Sequence, residues 1–87
     1  MSKQEKIDDI LAHRQSIYGD AHKNFAITGR IWGALLFIDD IPAWQVALML
    51  DALKSVRCIA APAYEDSWQD KLGYTQHGLE IAMTDEP

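Results

Sequence analysis

The sequence predicts an all-α fold, a four-helix bundle with short connections, on three observations. Apolar residues recur at spacings of three and four through four segments. Three short breaks separate those segments, at Tyr18-Gly19-Asp20, Asp39-Asp40-Ile41-Pro42 and Ala61-Pro62-Ala63. No stretch alternates apolar and polar residues as a strand would, and there is no Asn-Gly hairpin signal. The helices are predicted at about 3–16, 21–37, 42–60 and 66–83, in a single domain spanning residues 1–87. Short connections make successive helices antiparallel neighbours. A chain of 87 residues buries only a modest core, so association as a homodimer is expected.

Each element has its own local reason. In the first helix, Ile7, Ile10, Leu11 and Ile17 recur at helical spacing opposite Lys3, Glu5, Lys6, Asp8 and Asp9. Gly19 suits the turn that ends it, and Asp20 suits the N-cap of the second helix, where a carboxylate accepts from free amides. The second helix carries three stripes: Ile27, Ile31, Ala34 and Leu35; Phe25, Trp32 and Leu36; and the small residues Ala26, Gly29 and Gly33. A helix apolar on several faces is central. Each glycine costs roughly 1 kcal/mol of helix propensity relative to alanine. The close approach of another backbone is the reading that repays it, with a simple kink as the alternative.

Pro42 fits the first turn of the third helix, where its missing amide goes unused. Val46, Met49, Leu50, Leu53, Val56 and Ala60 form its expected core stripe. Arg57 falls near the middle of that stripe, Lys54 on its flank and Asp51 one turn before Lys54. Pro62 stops this helix. The fourth begins near Asp66, with Asp66 or Glu65 as its cap, and Trp68, Leu72 and Leu79 share one side.

Composition excludes several classes. A hydrophobic fraction of 48% is too high for a disordered chain, and three tryptophans point to a packed core or an interface. A net charge of -5 argues against general nucleic-acid binding, which needs a basic stripe to displace counterions. The single Cys58 forbids an intramolecular disulfide, and its apolar helical neighbours make it a packing residue rather than a nucleophile. The charged start MSKQEKIDD is not a signal peptide, and charges interrupt every apolar run before membrane-spanning length. A cytoplasmic protein with no membrane partner is expected.

Three constellations carry candidate chemistry. Asp66 and Asp70 lie four apart on one helical face, His77 continues the line, and Glu80 is nearby on the same side. Carboxylates one turn apart can hold a divalent cation, and oxygen ligands suit Mg²⁺ or Mn²⁺. Asp66, Asp70 and His77 are therefore the candidate metal ligands. Asp66 and Asp70 are also the candidate catalytic pair, with the ion bridging nucleotide phosphates and activating a water. In the structural alternative, Asp66 caps a helix and Asp70 pairs with a base of the third helix.

Lys54 and Arg57 form the second constellation. An arginine inside an apolar stripe needs a partner, either an aspartate of the fourth helix or a ligand phosphate held by its fork of donors. The third is the turn from His13 to Asn24. Its histidines do not match a zinc spacing, and Asn24 shares the inward face of Ile27 and Ile31. Tyr18, Asn24 and Tyr74 are the residues expected to close a pocket over Lys54 and Arg57. There is no Gly-rich phosphate loop, HExxH or nucleophile elbow.

From Arg14 to Tyr74 the chain carries a longer pattern. It runs R-x3-YGD (Arg14 to Asp20), an inward Asn24 and Trp32, VALMLDALKSVR (Val46 to Arg57) and P-x3-DSW-x-D-x2-GY (Pro62 to Tyr74). This resembles a group of small helical proteins of phages and prophages, some of them loosely similar to MazG, the all-α nucleotide pyrophosphohydrolases. The resemblance implies a helical, oligomeric, Mg²⁺-dependent protein that cleaves nucleoside triphosphates to monophosphate and pyrophosphate. Such enzymes hold metal with E-E-x-x-E on one helix and E-x-x-D on another. Here the second helix has no glutamate and the third offers only Asp51, so Asp66 and Asp70 stand in for the second motif at a different spacing.

Two function classes follow. The first is a MazG-like phage-type protein that binds or hydrolyses nucleoside phosphates with Mg²⁺ or Mn²⁺. The second is a non-catalytic interaction protein that modulates a host protein, its polar residues holding the bundle together and exposed aromatics such as Trp44 carrying binding. An acidic decoy for a DNA-binding protein is a third, weaker fit to the charge.

Overall fold

The structure, a computed structural model, describes Asp9 and residues 20–84. Among them it contains three helices and no strand: α1 (Ala21–Leu36), α2 (Ala43–Ala60) and α3 (Glu65–Thr84). These are the second, third and fourth predicted helices. The first, at about 3–16, lies outside the described residues apart from Asp9, which is helical. The all-α class stands, but the expected four-helix bundle becomes a set of three described helices. Among the described residues no helix is long and apolar enough to cross a membrane.

Asp20 caps α1: its backbone is extended and its Oδ1 accepts from the Lys23 amide at 3.2 Å. The other end closes on Phe37, whose φ of 57° is left-handed. The amide of Phe37 donates to the Ala34 carbonyl at 3.3 Å and that of Ile38 to the Gly33 carbonyl at 3.0 Å. This is the paired geometry that usually places glycine at the left-handed position. Here it holds a phenylalanine that is 95% exposed. The left-handed penalty of ~1–2 kcal/mol for an L-residue exceeds the ~0.5–1 kcal/mol of extra entropy that glycine loses on folding. Phe37→Gly is therefore expected to stabilise the fold by about 0.5–1 kcal/mol, read as a higher urea midpoint. A midpoint that falls would mean that the ring contributes packing after all.

After Phe37 the chain turns back along α1, and the glycines make room for it. A Cβ at Gly29 would stand 1.8 Å from the Ile41 carbonyl oxygen, and one at Gly33 would stand 2.7 Å from that of Asp39. The Ile41 amide donates to the Gly29 carbonyl at 3.2 Å. Close backbone approach, not a kink, is thus the reason for the small-residue stripe. Ile41 and Val46 are buried behind it. Pro42 sits one step earlier than expected, at the N-cap rather than inside the first turn. It is extended, and its carbonyl accepts from the amides of Gln45 and Val46, both at 3.0 Å.

α2 and α3 form an antiparallel hairpin around a short turn, in which the Tyr64 amide donates to the Ala61 carbonyl at 3.0 Å. The Trp68 indole donates to the Pro62 carbonyl at 2.9 Å and ties α3 to that turn. α3 starts at Glu65, which places Asp66 inside the first turn rather than at its cap. α2 packs most extensively on α3, less on α1, and α1 barely meets α3. Small residues let the hairpin close: a Cβ at Gly78 would lie 3.2 Å from that of Ala47.

The expected core stripe of α2 requires a correction. Val46 is buried and Leu50 half-buried, but Met49, Leu53, Val56 and Ala60 are exposed. The reason is which face docks. α3 lies against Ala47, Asp51, Lys54 and Cys58, so the broad apolar side of α2 turns outward. α3 behaves the same way: Ser67, Gly73, Gly78 and Ile81 are buried, while Trp68, Leu72, Leu79 and Met83 are exposed.

Candidate functional site

The charged residues of α2 and α3 meet between the two helices. Lys54 Nζ lies 2.9 Å from Asp70 Oδ2, with side chains only 18% and 17% exposed. Lys71 Nζ lies 2.6 Å from Asp51 Oδ1. Thr75 Oγ1 donates to Asp51 Oδ2 and also reaches the Lys71 carbonyl at 3.0 Å. Lys71 and Thr75 are one turn apart on α3, so both can address a single carboxylate from α2. Burial pushes the Asp51 carboxyl up. The hydrogen bonds from Lys71 and Thr75 and the positive charge of Lys71 outweigh that and hold it below the ordinary carboxylate value. Among the described residues no buried side-chain nitrogen or oxygen lacks a hydrogen-bond partner.

The residues predicted as a metal and catalytic group are distributed differently. Asp66 is exposed at the start of α3, where its Oδ2 accepts from the Tyr64 hydroxyl at 3.3 Å. Asp70 is half-buried against Lys54. His77 is half-buried two turns further on, edge to face with Phe25 at 6.2 Å. Among the described residues, no three or more His, Cys, Asp or Glu are grouped so as to hold a metal ion. Glu80 is exposed and accepts from the Gln76 amide at 3.3 Å.

Of the two bases, Lys54 takes the role expected for Arg57. Lys54 sits on the side of α2 that faces α3, whereas Arg57 is exposed near the end of α2 and pairs with no aspartate among the described residues. Tyr74 is half-buried, its ring 6.1 Å from that of Phe25 and tilted by 47°. Asn24 is half-buried in the first turn of α1, where its carbonyl accepts from the Thr28 hydroxyl at 2.8 Å. Tyr18 lies outside the described residues. Tyr74 thus belongs to the junction of α1 with α3, Asn24 to the first turn of α1 and Lys54 to the α2–α3 seam.

Lys71 and Thr75 were missed by sequence reasoning, although one signal pointed to them. They are four apart and present a donor pair to whichever acid faces that side of α3.

A small helical domain built on a hairpin with a charged seam and apolar outer faces is the class these features define. The chain belongs to the family described as Domain of unknown function (DUF6378), whose model matches residues 4–82. No curated protein and no solved structure matches it.

Proposed function

We propose that this protein is a non-catalytic interaction protein that works as a homodimer through the apolar outer faces of its helices. One observation carries this reading: four charges are turned into the α2–α3 seam while large apolar residues of all three helices face outward. Asp51, Lys54, Asp70 and Lys71 neutralise one another between α2 and α3. Ile27, Ile31 and Leu35 of α1, Leu53, Val56 and Ile59 of α2, and Leu72, Leu79 and Met83 of α3 face outward. Apolar area left in water on this scale is characteristic of a protein interface. The resemblance to small phage and prophage proteins supplies a setting, the modulation of a host protein in the cytoplasm.

The nucleotide reading has one observation in its favour. Asp66 is exposed at the start of α3, one turn before Asp70, a position from which a carboxylate pair could share a Mg²⁺ or Mn²⁺ ion. Thermal unfolding separates the two readings, because a ligand that binds the native state raises the midpoint by mass action. With Mg²⁺ or Mn²⁺ and millimolar nucleoside mono-, di- and triphosphates, no shift is expected. A metal-dependent rise with one nucleotide class, abolished by Asp66→Ala, would transfer the function to MazG-like phosphate chemistry.

A further inference from the structure

We infer that residues 3–17 dock as a helix in the groove between α1 and α3, with the Arg14 guanidinium on the Asp70 carboxylate. The occupant is a segment of the same chain, so the docking stands or falls independently of the homodimer.

α1 and α3 both pack on α2 but barely meet each other, which leaves a groove between them. Where they do meet, the Phe25 ring lies 6.1 Å from that of Tyr74 and 6.2 Å from that of His77. Ala21, Thr28 and Trp32 share the face of Phe25 at steps of three and four, and Asp70 stands one turn before Tyr74. All of these residues are half-buried. The other side of α1, with Ile27, Ile31 and Ala34, is exposed.

The tether selects the occupant. Only Tyr18 and Gly19 separate Ile17 from Asp20, the N-cap of α1. So short a connection makes a preceding helix an antiparallel neighbour of α1. A helix over 3–16 is about 21 Å long, and α1 with its 16 residues is about 24 Å. In that register Ile17 comes beside Ala21, Arg14 beside Phe25, Ile10 beside Thr28 and Ile7 beside Trp32. Asp9, on the polar side of the segment, is helical and exposed. The family model begins at residue 4, so the segment is part of the domain.

Charge selects the side of α1. Arg14 falls among Ile7, Ile10, Leu11 and Ile17 on the apolar stripe of the segment. A guanidinium turned into a groove needs a carboxylate. Asp70 supplies it: its Oδ2 meets Lys54 Nζ at 2.9 Å, and a carboxylate accepts from more than one cation. α1 itself contains no acid, and its exposed side carries Lys23 and Arg30.

Hydrogen exchange of the full chain tests the docking. An isolated helix of this length is marginal in water, so undocked amides would exchange at nearly the unfolded rate. The amides of residues 6–15 should instead exchange at least roughly 100-fold more slowly, at every protein concentration. Leu11→Asp should abolish that protection while the amides of α2 stay protected. Arg14→Met and Asp70→Asn should each lower the urea midpoint, and the double variant should lower it by less than their sum. Ile10→Cys with Thr28→Cys should close an intramolecular disulfide on mild oxidation, and Ile10→Cys with Ala34→Cys should not. Cys58 is buried and does not compete. Unprotected amides in the wild type overturn the docking. A bridge through Ala34→Cys rather than Thr28→Cys overturns the groove. Additive shifts of the urea midpoint overturn the pairing of Arg14 with Asp70.

Discussion

Gly29→Ala is expected to destabilise the fold by about 3 kcal/mol, although alanine is the better helix former by roughly 1 kcal/mol. The new methyl would fall 1.8 Å from the Ile41 carbonyl oxygen. A backbone atom cannot swing aside as the tip of a side chain can, so the returning segment must lift off α1. The hydrogen bond from the Ile41 amide to the Gly29 carbonyl would break, and the burial of Ile41 and Val46 would loosen. Overpacking of this kind typically costs 1–3 kcal/mol (about), and the lost bond adds to it. Urea unfolding followed by circular dichroism reads the effect. Gly78→Ala is the internal contrast. Its methyl would meet the Ala47 methyl at 3.2 Å and the Trp44 carbonyl at 3.7 Å, so propensity and crowding should nearly cancel. A Gly29→Ala protein as stable as wild type would mean that the segment from Asp39 to Ile41 does not pack on α1.

Asp51→Ala is expected to cost about 2–3 kcal/mol. The carboxylate is almost buried and accepts from both Lys71 and Thr75. Removing it leaves the Lys71 ammonium beside α2 without its counter-charge, and an orphaned partly buried charge is worse than no pair at all. The pH dependence has a definite sign. The carboxyl is held below its unfolded value, so its contribution is fully present above the unfolded pKa, near ~4. It disappears as the pH falls through the lower folded value. The stability gap between wild type and Asp51→Asn should therefore be constant near neutrality and close in acid. A gap unchanged down to the acid limit of folding would show that the negative charge of Asp51 contributes nothing to stability.

The two predictions differ in how far the sequence foreshadowed them. Gly29 and Gly33 at four-residue spacing in an otherwise apolar helix already implied a close neighbour, because nothing else compensates their propensity cost. The cap at Asp20 and the stops around Pro42 and Pro62 were readable for the same local reasons. Asp51 was not, nor was the partnership of Lys54 with Asp70 in place of Arg57. Periodicity marks which side of α2 is apolar, and the apolar side is the one expected to face the rest of the chain. In α2 that side faces away, and the docking face is the one with Ala47, Asp51, Lys54 and Cys58. A pattern of hydrophobicity shows that a helix has an apolar side, not which of its sides docks on its neighbour. The left-handed Phe37 had no signal either, since glycine or asparagine is what normally announces that conformation.

The order of charges across the hairpin has a further consequence. α2 presents an acid and then a base, Asp51 and Lys54, and α3 presents an acid and then a base, Asp70 and Lys71. Because the helices run antiparallel, Asp51 meets Lys71 and Lys54 meets Asp70. Turn α3 about its own axis, and Asp70 and Lys71 would leave the seam, while Asp51 and Lys54 stayed in it without their counter-charges. Water alone would reward such a turn, since it would hide the row from Trp68 to Met83 inside a solitary chain. The four charges veto it. They act as an address that tells α3 which way to face, and so keep its apolar row on the outside of the hairpin.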